Sequence, residues 1–322
     1  DLFVTVLDAA APVLRFHDLF ADFLRTQLAA DAERLRELHR RAARAEAGYS
    51  HAIAHWIAAG DWDAALARLF DEAEALLAEG GHAAVERWLD RFPPAVVERE
   101  ARWQYLRGLC TWRRWDWIRA HESLQRASAL LDERAPPRLR TRVQLSLMGA
   151  RNGLGDREGA LALRDALATQ PLDAAERAIY HLQAAWCHMG GGECARVPDD
   201  LRAAASAVAV DPVRIGPQTV DRAHSIFIGV PGVQQAFAEL LAAYGAARGP
   251  AIAPWQGGPA IIDGWVALWA ADRPRTEAAI EHARDVIRRF GGIPPLQDGL
   301  ARLEAMHLVL TGRTADALAI AE

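Results

Sequence analysis

The sequence predicts an all-α chain: a superhelix of stacked helix hairpins, with a short β-hairpin at its N-terminus. Three observations lead there. A turn followed by an Ala- and Leu-rich run recurs as "AAGDWDAAL" (58–66), "RRWDWIRAHESL" (113–124), "GLGDREGAL" (153–161) and "TGRTADAL" (311–318). Looser copies are "ADRPRTEAAI" (271–280) and "GVPGVQQAF" (229–237). Each copy follows an amphipathic helical run, so each turn joins two helices. Second, a small residue recurs in the second helix of each pair, where a neighbour must approach closely: Ala65, Ala120, Ala160, Ala204, Ala236, Ala279 and Ala317. Third, "LFVTVL" (2–7) and "VLRF" (13–16) are β-favouring runs around "DAAAP" (8–12), which is a hairpin pattern.

Taken in order, the hairpin at the N-terminus leads into a helical run at 15–28. Asp31 then suits the N-cap of "AERLRELHRRAARAEAG", since a short carboxylate can accept from the first free backbone N–H groups. The small residues lie 55, 40, 44, 32, 43 and 38 positions apart. The 55-residue gap leaves room for one extra helix, "GHAAVERWLDRF" (81–92), stopped by Pro93-Pro94. Around the second copy, Gly108, Ala120, Leu124 and Ala127 have gaps of 12, 4 and 3. Those gaps match a tetratricopeptide (TPR) helix hairpin, and Ala305, Ala317 and Ala321 repeat the first two. The mean spacing of about 42 exceeds the TPR value of about 34, so helices or loops are longer here. Residues 190–216 and 248–259 are interrupted by Gly and Pro and read as long loops. A lone hairpin cannot bury its apolar face, whereas a stack of them buries it between neighbours and leaves a concave surface.

Composition narrows the functions. The chain has 322 residues, 51% hydrophobic and 25% charged, an ordinary globular balance. No run approaches the roughly 18 apolar residues of a membrane span, and no secretory signal is visible. Three cysteines, Cys110, Cys187 and Cys194, fit a reduced cytoplasmic protein better than a disulfide scaffold. A formal charge of −5 argues against a general nucleic-acid surface. All 37 basic residues are arginine. A phosphate-cradling P-loop needs its lysine, so that nucleotide site is excluded from this segment. The chain starts at Asp1 rather than Met and stops within a helical run, "ADALAIAE", so it is expected to be a piece of a longer protein.

"RFHDLFADFLRTQL" (15–28) resembles a segment of MalT-type ATP-dependent transcriptional regulators, the large LuxR-type activators. In order along the chain, "LHRRAARAEA" (38–47), "HAIAHWIAAGDWDAALARLF" (51–70) and "ERWLDRFPPAVVERE" (86–100) resemble further segments of that family. The resemblance is specific over residues 2–130 and architectural beyond. It implies that residues 1–30 are the end of a winged-helix module, its β-hairpin and last helix. Residues 31–322 would be the TPR-like superhelical sensor domain. A signal-transduction NTPase domain would lie upstream and a helix-turn-helix downstream. By that resemblance no cofactor binds this segment, and ATP and Mg belong to the upstream domain. The implied partners are a small-molecule effector, other domains of the same regulator, and self-association or a regulatory protein.

No G-x-S-x-G, HExxH or GxGxxG motif is present, so catalysis is not expected in this segment. His51 and His55 share a helix face, and "CHMGGGEC" (187–194) gathers Cys187, His188 and Cys194. Neither has the spacing of a metal site, and no metal is expected. "RLRELHRRAARAE" (34–46) is locally basic and reads first as a solvated helix face, with a contact to the NTPase domain as the sharper option. "TWRRWDW" (111–117) aligns with the other turns, so Asp116 matches the capping positions Asp61 and Asp156. Trp115 and Trp117 then cover the hairpin end, and Trp112 with Arg113 can reach the groove.

Concave positions come mainly from the first helix of each pair. With Gly108 as the close-packing residue, Arg102, Tyr105, Leu109 and Trp112 would face the groove. Arg142, Leu145 and Asn152 would follow in the next pair, and His181, Gln183 and Trp186 in the third. The ligand-binding candidates are therefore Arg102, Tyr105, Trp112, Arg113, Arg142, Asn152, His181, Gln183 and Trp186. Aromatic rings beside planar hydrogen-bonding groups suit a sugar-like or aromatic-acid effector. The alternative is a protein–protein scaffold whose groove takes a partner protein or peptide.

Overall fold

The computed structural model describes residues 4–8, 13–78, 81–114, 116–133, 135–210, 222–246, 256–290 and 294–321. Among the described residues the fold is all-α apart from one strand pair. Strands β1 (Val4–Asp8) and β2 (Val13–Phe16) run antiparallel, with Val4 opposite Phe16 and Val6 opposite Leu14. The contacts divide the chain into two compact units, Asp1–Glu72 and Ala73–Glu322. The boundary expected at 30/31 falls inside the first. Among the described residues no helix is long and apolar enough to cross a membrane.

The first unit continues with α1 (Asp18–Ala29), α2 (Ala32–Ala45), α3 (Tyr49–Ala58) and the start of α4 (Trp62–Ala78). Asp31 caps α2 by accepting from the Arg34 backbone N–H at 2.9 Å. Helices α2 and α3 pack together. At their contact the Nδ1 atoms of His39 and His55 lie 2.9 Å apart, within hydrogen-bond distance. Arg44 lies over the Trp56 ring, 5.6 Å from its centre.

In the second unit the elements after α4 are α5 (His82–Leu89), α6 (Pro94–Val97), α7 (Ala101–Arg113), α8 (Trp117–Leu130), α9 (Pro137–Leu154), α10 (Arg157–Ala168), α11 (Ala174–Gly191) and α12 (Val197–Val210). A 3-10 helix at Arg222–Gly229 precedes α13 (Val233–Ala246), α14 (Gly257–Trp269), α15 (Arg273–Arg289), α16 (Pro294–Leu310) and α17 (Thr314–Ala321). Helices pair as α7 with α8, α9 with α10, α11 with α12, α14 with α15 and α16 with α17. Successive pairs also touch: α8 packs on α9, α10 on α11 and α12 on α13, while first helices meet as α7 on α9 and α9 on α11.

The turn copies share a capping mechanism. Asp61, Asp116, Asp156 and Asp272 each accept from the backbone N–H three residues on, at 3.3, 3.2, 3.0 and 3.1 Å. Each satisfies a donor that the first helical turn would leave unpaired. Gly60, Gly155 and Gly312 supply the left-handed residue ending the preceding helix, and Ala271 takes that conformation in the looser copy, with φ 55°. All seven recurring small residues, from Ala65 to Ala317, are buried. At Gly108 a Cβ would stand 2.8 Å from Leu124 Cγ, so the missing side chain lets α7 and α8 approach.

Two loop expectations need correction. Residues 197–210 form α12, and the preceding Gly-rich stretch is the end of α11, with Gly192 left-handed at its C-cap. Likewise Pro259 lies in the first turn of α14. Proline is tolerated in a first helical turn because its missing N–H would have no helical partner there. Residues 247–255 lie outside the described residues.

Candidate functional site

The nine sequence candidates do not gather at one place. Three of them meet. Asn152 on α9 donates through Nδ2 to the Gln183 carbonyl oxygen at 3.1 Å and to Gln183 Oε1 at 3.2 Å, on α11. Cys187, one turn along, donates its S–H to Asn152 Oδ1 at 3.5 Å. Burial pushes the Cys187 thiol up to about 11, which keeps the proton that this bond uses. The Trp112 ring and the Gln183 amide close over Gly149, where a Cβ would run into both. Trp112 also meets Trp117 edge-on, with ring centres 4.8 Å apart, and the Trp117 ring covers Gly153.

Gly149 and Gly153 are four apart, so they share one face of α9. That face lacks Cβ atoms and seats two indoles. The seat accounts for Trp112 and Trp117 of "TWRRWDW". Trp112 is half-buried against a neighbouring helix. Two mid-helix glycines four apart beside a Trp-rich turn are a signal that the sequence reading passed over.

The other candidates separate. Tyr105 is only 3% exposed, and Leu109 and Leu145 are buried with it. Helix α7 is covered by α5, α8 and α9 together, so fewer of its positions are left for a groove than in a bare hairpin stack. Arg102 ion-pairs with Glu100 at 3.5 Å, near the start of α7. Arg142 is half-buried on α9. The Arg113 side chain and Trp115 lie outside the described residues. Trp186 packs on the 3-10 helix, with its ring 4.7 Å from Phe227 and 5.6 Å from His224.

His181 joins a cluster that the sequence reading missed. Its Nδ1 donates to Asp200 Oδ1 at 3.0 Å, and His188 Nδ1 donates to Asp200 Oδ2 at 2.6 Å. A carboxylate only accepts, so both imidazoles carry the proton on Nδ1. His181 and His188 are seven apart on α11, two turns along one face. Asp200 sits in the first turn of α12, where the helix dipole favours a negative charge. Both its oxygens are thereby used in clamping α11 to α12.

Among the described residues no group of three or more His, Cys, Asp and Glu is placed to hold a metal ion. The residues of "CHMGGGEC" diverge: Cys187 goes to Asn152, His188 to Asp200 and Cys194 to Met189. None of the nine candidates lines a cleft of about 440 Å³ among α13, α14 and α15. No family model matches the chain, and no curated protein matches it.

Proposed function

We propose that the chain is the TPR-like superhelical sensor portion of a MalT-type, LuxR-family transcriptional regulator, with the β1–β2 hairpin and α1 as the end of a winged-helix module. Its work is to bind a small-molecule effector and pass the change to other domains of the same regulator. The observation that carries this reading is the file of first helices. Helices α7, α9 and α11 adjoin in sequence order, and Trp112, Asn152 and Gln183 link each to the next. In a hairpin stack each repeat touches only its neighbours, so joints of this kind set the curvature. A polar joint can exchange partners where an apolar one only packs. An effector with different affinity for two curvatures shifts the population between them.

The test is thermal denaturation of the 322-residue protein across a broad metabolite library. A specific compound should raise the melting temperature by several degrees, since a ligand that binds only the native state stabilises it. Silence across the library, with a partner protein co-purifying stoichiometrically, would instead make the chain a scaffold.

A further inference from the structure

The cleft among α13, α14 and α15 has a chemistry of its own. At about 440 Å³ it falls toward the small end of small-molecule sites. Its walls are mixed: Leu241, Pro259, Ala260 and Ala279 supply apolar surface, and Tyr244, Gln256 and His282 add polar groups. One ion pair borders it. Arg275 Nε and Nη2 both donate to Asp263 Oδ1, at 3.1 and 2.5 Å. Two donors therefore converge on one oxygen. Asp263 Oδ2 and Arg275 Nη1 make no further hydrogen bond among the described residues. Both side chains keep about a third or more of their surface exposed, at 32% and 43%. An acceptor oxygen and a donor nitrogen with no further bond among the described residues thus belong to the pair at the edge of the cleft.

That edge selects by charge. A lone carboxylate or phosphate reaching Arg275 would face Asp263, and a lone amine reaching Asp263 would face Arg275. Each meets attraction and repulsion together. A molecule carrying both charged groups on one carbon satisfies both partners, and the pair has no net charge left over. We propose that this cleft binds a free α-amino acid with an apolar side chain. Its carboxylate accepts from Arg275, its ammonium donates to Asp263, and its side chain lies on Leu241 and Pro259. This rests on the sensor reading and names the effector class and its place.

The experiment is calorimetric titration of the 322-residue protein with leucine and phenylalanine, alongside their N-acetyl and carboxamide derivatives. Free amino acid should bind. The N-acetyl form lacks the ammonium and the carboxamide lacks the carboxylate, so each should bind weaker by about thirtyfold or more. Arg275→Met and Asp263→Asn should do the same, whereas Arg119→Met, at an exposed position of α8, should leave binding unchanged. The analogue comparison needs no variant, so it stands even if a substitution unfolds the protein. Equal binding of the free and blocked forms overturns the proposal, as does no binding by any of the twenty amino acids. If a neutral sugar or a nucleotide shifts the melting temperature instead, the amino-acid assignment falls and the sensor reading stands. If no metabolite acts and a protein partner does, both fall.

Discussion

Replacing Asp200 by alanine removes the acceptor shared by two imidazoles. The carboxylate is 8% exposed, and so is His188, whose bond to it is 2.6 Å long. Without Asp200 the His188 Nδ1–H is left in the interior with nothing to donate to. A charge-assisted bond lost in that setting costs about 2–3 kcal/mol. The His181 side chain is 27% exposed, so water can replace its 3.0 Å bond and the loss there is about 1 kcal/mol. The total is about 3–4 kcal/mol. For a cooperative unit of this size each kcal/mol moves the melting temperature by roughly 2–4 °C, so a fall of about 10 °C is expected. Asp200→Asn keeps one acceptor oxygen and should lose about half as much. Urea unfolding followed by circular dichroism measures the difference, with the slope checked for two-state behaviour. A value for Asp200→Ala within about 0.5 kcal/mol of the parent would refute the reasoning, because surface substitutions behave that way and buried clamps do not.

Gly149→Ala should destabilise by about 1–3 kcal/mol through overpacking against Trp112 and Gln183. Trp112→Ala should remove part of that cost, and a double-mutant cycle that proves additive would rule out the contact. Ala271→Gly should stabilise by about 0.5–1 kcal/mol, because its left-handed backbone suits glycine, and calorimetry reads the gain. Burial, and then the facing His55 ring, hold the His39 value below the ordinary histidine range. The unfolded chain then takes up its proton first as pH falls. The associated stability is complete above about 6.5 and is lost as pH drops through the lower folded value. His39→Phe should flatten the acid side of the stability profile, and superimposable profiles for variant and parent would exclude this coupling.

The helices and their caps were legible because their signals are local. Each capping aspartate reaches only three residues ahead, so Asp61, Asp116 and Asp156 can be recognised from the turn alone. The close-packing positions follow the same logic, and Ala65, Ala120, Ala160, Ala204, Ala236, Ala279 and Ala317 are all buried. Local reading misled where a residue has two meanings. Glycine and proline in 190–216 suggested a loop, yet Gly192 caps α11 and Pro198 sits in the first turn of α12, while 211–216 lie outside the described residues.

Which polar groups meet was decided elsewhere. Asn152 reaches Gln183 from 31 residues away, Asp200 gathers two histidines from another helix, and Arg275 crosses from α15 to α14 to find Asp263. Tyr105 is buried because α7 is covered from several sides at once. A helix's own periodicity says which residues share a face. Which neighbour covers that face, and at what register, depends on side-chain packing along the whole stack. Hydrogen bonds switch on or off within fractions of an ångström, so these contacts exist only once that packing has set the register.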